Sequence, residues 1–264
     1  PIPMNEGCLA PIDLVIPDIS YLLENREKVR AIVITHGHED HTGALPYVLS
    51  QLNVPIYATK LVQGLISVKL KEHRLLGSVE QVVIGPGDRV GFGELSVEFI
   101  RVAHSIPDAV MVAVDSPAGK LVYTGDFKFD QSPMDGKVTN FARLAELGAE
   151  GALVLVSDCT RVEQAGFTPS ERVVTETFDR VFQTAKGRVL VTTFASNISR
   201  VQQAIQVANL HGRKAAVVGR SMESNVAVAR ELDYMTIPDG VLLRVDEVNK
   251  LPPDKILYIT TGAQ

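Results

Sequence analysis

Cysteine is scarce in this chain of 264 residues: there are two, Cys8 and Cys159. Two thiols so far apart make neither a disulfide framework nor a zinc knuckle, so a reducing, cytoplasmic setting fits best. Long apolar runs are also lacking. Nothing approaches the roughly 18 residues that a membrane helix needs, and no basic-then-apolar stretch opens the chain as a secretory signal would. The expectation is a soluble globular protein with no membrane partner. Histidine is rare too, with six in all, yet three of them crowd into "AIVITHGHEDHTGALP" (31–46) directly after an apolar run.

What is present supports a sizeable core. The chain is 45% hydrophobic and 22% charged, and its length suggests two domains, since domains usually hold about 100 to 200 residues. In the first part, strand-like runs alternate with Gly and Pro turns: "AIVIT" (31–35), "PIYAT" (55–59), "LSVEFIRVA" (95–103), "AVMVAVD" (109–115) and "KLVYTGD" (120–126). "SPAG" (116–119) reads as a hairpin turn, and "TGALPYVLSQL" and "LVQGLISVKLKEH" read as helices. This predicts a mixed α/β domain whose sheet is part antiparallel. Beyond "GALVLVSDCT" (151–160) the rhythm changes to strand, helix, strand, helix, strand: "GRVLVTTFASN", "ISRVQQAIQVANLHG", "RKAAVVGRSM", "ESNVAVAREL" and "DKILYITTGAQ". Val201, Ala204, Ile205 and Ala208 recur at helical spacing, and the alternation implies parallel βαβ crossovers. The domains are therefore placed at 1–165 and 166–264. The second carries a net charge of +2 and the first −7, so acid gathers where a metal site would need it, although a solvated acidic surface explains the asymmetry equally well. The opening at Pro1 and the close on a strand with a small polar loop read as a fragment of something longer.

His36, His38, Asp40 and His41 form H-x-H-x-D-H. Imidazole and carboxylate suit borderline cations such as zinc, and a loop leaving a strand can aim alternate side chains at one point and the last pair at a second. A lone histidine is usually structural. Three with an acid in six positions would be costly to desolvate without a metal. His104 in "RVAHSIPD" and Asp126 in "VYTGDFKFD" stand at the ends of later strand candidates. Singly they read as a capped loop histidine and a turn aspartate. If the sheet brings the ends after Thr35, Ala103 and Gly125 to one edge, His104 can join His36 and His38, and Asp126 can bridge to Asp40 and His41. Glu39 is read as supporting the loop.

"THGHEDHTGALPYVL", "HSIPDA", "GDFKFD", "SDCT", "TPSER", "TTFASNISRVQQ", "GRSM" and the final "TGAQ" resemble, in order, the metallo-β-lactamase-fold nucleases with an inserted β-CASP domain, and within them the bacterial ribonuclease J family. The resemblance runs from about Ile12 to the last residue. It implies an αββα metallo-β-lactamase sandwich, here partial, followed by part of a β-CASP domain with a parallel Rossmann-like sheet. It also implies two Zn2+ per chain, with Mn2+ or Mg2+ as substitutes: His36, His38 and His104 on one ion, Asp40 and His41 on the other, and Asp126 bridging. The implied activity is hydrolysis of single-stranded RNA from the 5′ end or internally, by attack of a dizinc-bound hydroxide, with Asp40 and Asp126 as the catalytic carboxylates. Such enzymes act in mRNA turnover and rRNA maturation, and they form dimers or tetramers.

In an open parallel sheet, ligands bind at the carboxyl edge. The three strands of the second domain end in "TTFASN", "VGRSM" and "TTGAQ", two of them feeding helix starts whose free N–H groups suit phosphate. Ser196, Asn197, Arg200, Gly219, Arg220, Ser221, Thr261 and Gly262 are the RNA-binding candidates, with ordinary helix capping the competing explanation for Ser and Asn. The chain departs from the family at Ser199, where histidine is usual, and at Cys159 and Arg161 in "SDCTR". Against the ribonuclease reading stand another hydrolase on the same fold, such as a thioesterase or lactonase, and a non-catalytic RNA-binding scaffold. Parallel βαβ units disfavour the first, and intact ligands disfavour the second.

Overall fold

The computed structural model describes residues 2–3 and 14–262. Cys8, Ile12 and the last two residues of "TGAQ" lie outside them. The backbone divides into two compact units: one holds Pro1–Arg101, Asp108–Asp126 and Ala142–Asp158, the other Val102–Pro107, Phe127–Phe141 and Cys159–Gln264.

In the first unit, β1 (Ile2–Pro3) pairs antiparallel with β2 (Leu14–Val15). After α1 (Ser20–Glu24) come β3 (Ile32–Val33), the single turn α2 (Glu39–Thr42), α3 (Leu45–Leu49), β4 (Ile56–Thr59), α4 (Lys60–Glu72) and β5 (Gln81–Ile84). β3, β4 and β5 form a parallel sheet. α4 turns Val62, Ile66 and Leu70 at i, i+4, i+8 onto Ile56 and Ala58 of β4, with Leu45 and Leu49 of α3 in the same core. Each such aliphatic side chain, fully removed from water, stabilises the fold by roughly 1.5–3 kcal/mol.

The pleat sends Val33 and Tyr57 to the opposite face. There they meet Val97, Phe99, Val110 and Val112 of a second sheet. Its strands are β6 (Arg89–Phe92), β7 (Leu95–Arg101), β8 (Val110–Ser116), β9 (Gly119–Tyr123) and β10 (Val154–Val156), in the order β10-β9-β8-β7-β6. β10 runs parallel to β9 and the other neighbours pair antiparallel. The predicted turn at "SPAG" closes β8 onto β9, with Ser116 opposite Gly119. On the far face, Glu98 accepts from Nε and Nη2 of Arg143 in α5 (Phe141–Glu150) at 2.8 and 2.9 Å. Helix, sheet, sheet, helix is the layering that the resemblance implied.

The second unit carries α6 (Arg172–Thr184), β11 (Val189–Thr192), α7 (Ile198–Leu210), β12 (Lys214–Val218), α8 (Arg220–Glu231), α9 (Val245–Val248) and β13 (Ile256–Thr260). The three strands are parallel, as the alternation predicted, with β13 between β11 and β12. Thr192 and Val218 both pair with Thr260, so all three carboxyl ends finish level. Val201, Ala204, Ile205 and Ala208 of α7 are fully buried. Among the described residues, no helix is long and apolar enough to cross a membrane.

Three details differ from the sequence reading. β5 and β6 were not anticipated. "HEDHT" forms a helical turn, with His38 as its N-cap in extended conformation, rather than a loop. Thr35 follows β3 while Ala103 and Gly125 follow β7 and β9, so the strand ends belong to two sheets rather than to one edge. They still converge. β7 and β9 both run antiparallel to β8, so their ends lie beside its start, and the N–H of Val110 at that start donates to the carbonyl of Thr35 at 2.9 Å.

Candidate metal centre

His36 enters from the end of β3 and is wholly buried. Its Nδ1 lies 3.1 Å from Thr35 Oγ1, which fixes the ring and turns Nε2 away from the backbone. The His36 ring packs edge-on against His38 with centroids 4.8 Å apart, and lies tilted against His41 at 4.0 Å. α2 supplies Asp40 and His41, while Thr42 Oγ1 donates back to the His38 carbonyl and holds the turn. Glu39 pairs with Lys69 of α4, consistent with a supporting place in the turn. His104 sits on the connection between β7 and β8, residues 102–109.

Asp126 follows Gly125, whose φ of +55° few other residues adopt. A Cβ there would meet the Cβ of Thr35 at 2.9 Å. Asp126 can therefore lie close to the β3 end. Its Oδ2 is 3.7 Å from His36 Nε2, its Oδ1 is 3.4 Å from His41 Nε2, and that nitrogen is 3.5 Å from Asp40 Oδ2. Two donor groups result: His36, His38, His104 and Asp126, and Asp40, His41 and Asp126. Within each, one ligand atom per residue lies within 4.8 Å of the others.

The electrostatics suit a cation. Burial pushes His38 down to about 4, against the pull of Asp40, so its ring is neutral, the form that coordinates a metal. Burial also raises Asp126, and His41 only partly offsets this, while Asp158 and Asp40 push further in the same direction. Tyr123 is raised by burial and then by Asp126, Asp158 and Asp40. Three carboxylates crowded together beside the imidazoles are relieved by positive charge. The donor set, nitrogen and oxygen only, is one that holds a metal ion.

Asp158 was not singled out in the sequence. It follows β10, its N–H donates to Thr124 Oγ1 at 3.0 Å, and its charge reaches Asp126. The signal was there: an acid directly after "ALVLVS", the same strand-end placement that flagged Asp126. Thr35 and Gly125 were equally legible as neighbours but carried no ligand chemistry to draw notice.

In the second unit, Asn197, Arg200 and Gly262 line a cavity of about 430 Å³ together with Thr192, Thr193 and Phe194. Asn197 Oδ1 accepts from the Arg200 N–H at 3.0 Å and so caps α7, and Arg200 Nη2 donates to Glu171 at 2.6 Å. Ser196 and Thr261 are half-buried beside this edge. Gly219 is the N-cap of α8 at φ +111°, and the exposed Arg220 and Ser221 form the start of that helix. Neither lines the cavity.

Residues 7–183 match the family model of the metallo-beta-lactamase superfamily. The chain belongs to that superfamily. Residues 186–264 match the model of the ribonuclease J beta-CASP domain. It is 43% identical over 261 residues to ribonuclease J of Helicobacter pylori strain 26695, covering 98% of this chain and 38% of that protein. It is 45% identical over 260 residues to ribonuclease J of Thermus thermophilus, covering 96% and 45%. Against ribonuclease J 1 of Streptococcus pyogenes serotype M3 the figures are 43% identity, 100% and 47%. The chain thus spans less than half the length of these relatives, and the resemblance read from its motifs is borne out. Among solved structures, a protein of unknown function from Enterococcus faecalis V583 shares the fold, with a TM-score of 0.65, 16% identity, and coverage of 88% of this chain and 59% of that one.

Proposed function

We propose that this chain forms the metal-binding and part of the RNA-binding portion of a metal-dependent ribonuclease that hydrolyses phosphodiester bonds in single-stranded RNA. The observation that carries the reading is the carboxylate of Asp126, set between His36 Nε2 and His41 Nε2 and common to both donor groups. In this reading His36, His38 and His104 hold one Zn2+, Asp40 and His41 a second, and Asp126 both, with Mn2+ or Mg2+ as substitutes. When bound, two cations supply Lewis acidity, lowering the pKa of water and offsetting charge on the phosphate oxygens. Thr35 orients His36, and α2 sets Asp40 and His41 on adjacent positions of one turn. Asp40 and Asp126 act beside the reacting phosphate as the carboxylates of the centre.

The substrate assignment rests on the second unit and on the relatives' name, ribonuclease J. Three strand ends finish level at a polar edge with a cavity there, the place where open parallel sheets take ligands. Asn197, Arg200 and Gly262 at the cavity, with Ser196, Thr261 and the α8 start at Gly219, Arg220 and Ser221, form the RNA-facing edge. The functional division falls near residue 166. The full protein works as a dimer or tetramer in the cytoplasm.

The test uses the full gene product with 5′-monophosphorylated single-stranded RNA and Zn2+, Mn2+ or Mg2+. The parent should release nucleotides, and Asp40→Ala should lose about 100-fold or more. A parent that leaves RNA intact while hydrolysing a thioester or lactone overturns the reading.

A further inference from the structure

Glu171, in the stretch "TPSER", stands in neither the metal centre nor the cavity wall, yet it is held by an unusually dense set of bonds. Its Oε1 accepts from Lys128 Nζ at 2.9 Å and its Oε2 from Arg200 Nη2 at 2.6 Å. Its backbone is fastened as well: the N–H donates to Asp130 Oδ2 at 3.0 Å, and the carbonyl accepts from Nε2 of the fully buried Gln203 at 2.8 Å. Ser170 Oγ adds a bond to Asp130 Oδ2 at 3.0 Å. A carboxylate held at both ends of its side chain and on both sides of its backbone has little freedom to move.

Its two cations lead in different directions. Lys128 lies two residues after Asp126, and its N–H donates to the carbonyl of Ala103 at 2.7 Å, one residue before His104. The backbone of Lys128 is therefore fastened to the segment that presents His104. Arg200 lines the sheet-edge cavity, and its Nε is buried with no hydrogen-bond partner among the described residues. The pairing with Glu171 uses one Nη and leaves the rest of the guanidinium fork, a geometry suited to phosphate, unspent by that bond.

We propose that Glu171 is a positioning residue for RNA cleavage: by sharing one carboxylate between Lys128 and Arg200, it ties the guanidinium at the sheet-edge cavity to the segment that carries His104. This rests on the ribonuclease reading above. Charge alone does not make the tie, since a single carboxylate must bridge two cations in fixed directions. A loosened bridge lets the guanidinium shift against the His104 segment, and misplacement by an ångström costs on the order of 100-fold in rate.

The experiment compares the full metal-loaded protein with Glu171→Gln, Lys128→Met and the double variant, reading kcat and KM on 5′-monophosphorylated RNA, melting temperature, and bound metal by elemental analysis. Glu171→Gln keeps the shape and one acceptor oxygen but presents N–H2 to one cation. Its kcat/KM should fall about 10- to 100-fold with metal content unchanged, and the double variant should lose no more than the worse single, as expected of residues acting as one unit. Parent-like kcat/KM in Glu171→Gln overturns the proposal, as does a loss that tracks falling metal content, or losses that multiply. If Glu171→Gln does not fold, Lys128→Met alone decides, by the same criteria. A parent that does not cleave RNA brings down the ribonuclease reading and this inference with it; an active parent with an unaffected variant brings down this inference alone.

Discussion

A Cβ at Gly125 would lie 2.9 Å from the Cβ and 3.0 Å from Oγ1 of Thr35, and Thr35 Oγ1 is the partner of His36 Nδ1. A glycine thus sets the position of a histidine it never touches. Gly125→Ala should destabilise the protein by about 1–3 kcal/mol through positive-φ strain and crowding, seen as a lower melting temperature. It should also lower bound metal, and full metal content would show that Thr35 does not orient the ligand. Asp126 offers a cleaner contrast with Asp40. Because Asp126 belongs to both donor groups and Asp40 to one, Asp126→Asn should empty both positions and Asp40→Asn only one, as read by elemental analysis. Equal losses would contradict the shared role. The donor residues of "HGHEDH" drew notice because chemistry and density coincide there. Thr35 and Gly125 act through shape, which a single sequence does not advertise.

At the level of elements, α5 is fixed to the sheet by a paired charge. Arg143 meets both oxygens of Glu98, whose side chain is 8% exposed. Hydrogen bonding to Arg143 holds the Glu98 carboxyl below its usual 4.5 despite the opposing effect of burial. A depressed folded-state pKa stabilises above the unfolded value and is lost as pH falls through the folded one. Melting temperature should therefore decline as pH is lowered below about 4.5, and Glu98→Gln should flatten that decline while lowering stability at neutral pH. An unchanged acid limb would rule out this pair as its source. Of the elements themselves, β4, β7, β8, β9, β11, β12, β13, α4 and α7 announced themselves by periodicity. β5 and β6 did not: each is four residues long at a sheet edge, and β6 contains Gly91. Edge strands bury too little to impose a pattern. The split of the donor-bearing strand ends between two sheets was also invisible, because pairing partners far apart in sequence leave no local trace.

For the whole molecule, the net charge of −5 is concentrated in the part that bears the centre. Cations bound there should stabilise the folded state alone. Protein stripped with chelator should gain about 2.7 kcal/mol when free Zn2+ reaches a hundredfold excess over its dissociation constant, and its melting temperature should rise accordingly. A melting curve indifferent to metal would count against a resident ion. RNA, for its part, has little to gain from the acidic exterior and should bind through the local sheet edge, so affinity should fall with salt by a slope set by a few phosphate contacts rather than many.

The single bond from Val110 N–H to the Thr35 carbonyl is where the start of one sheet's strand meets the end of the other's. Val110 is fully buried, so its amide can trade hydrogen for deuterium only when that junction opens. One proton thus keeps time for the centre: its exchange rate reports how often the histidine-bearing strand end parts from the strands that deliver His104 and Asp126, without any substrate being turned over.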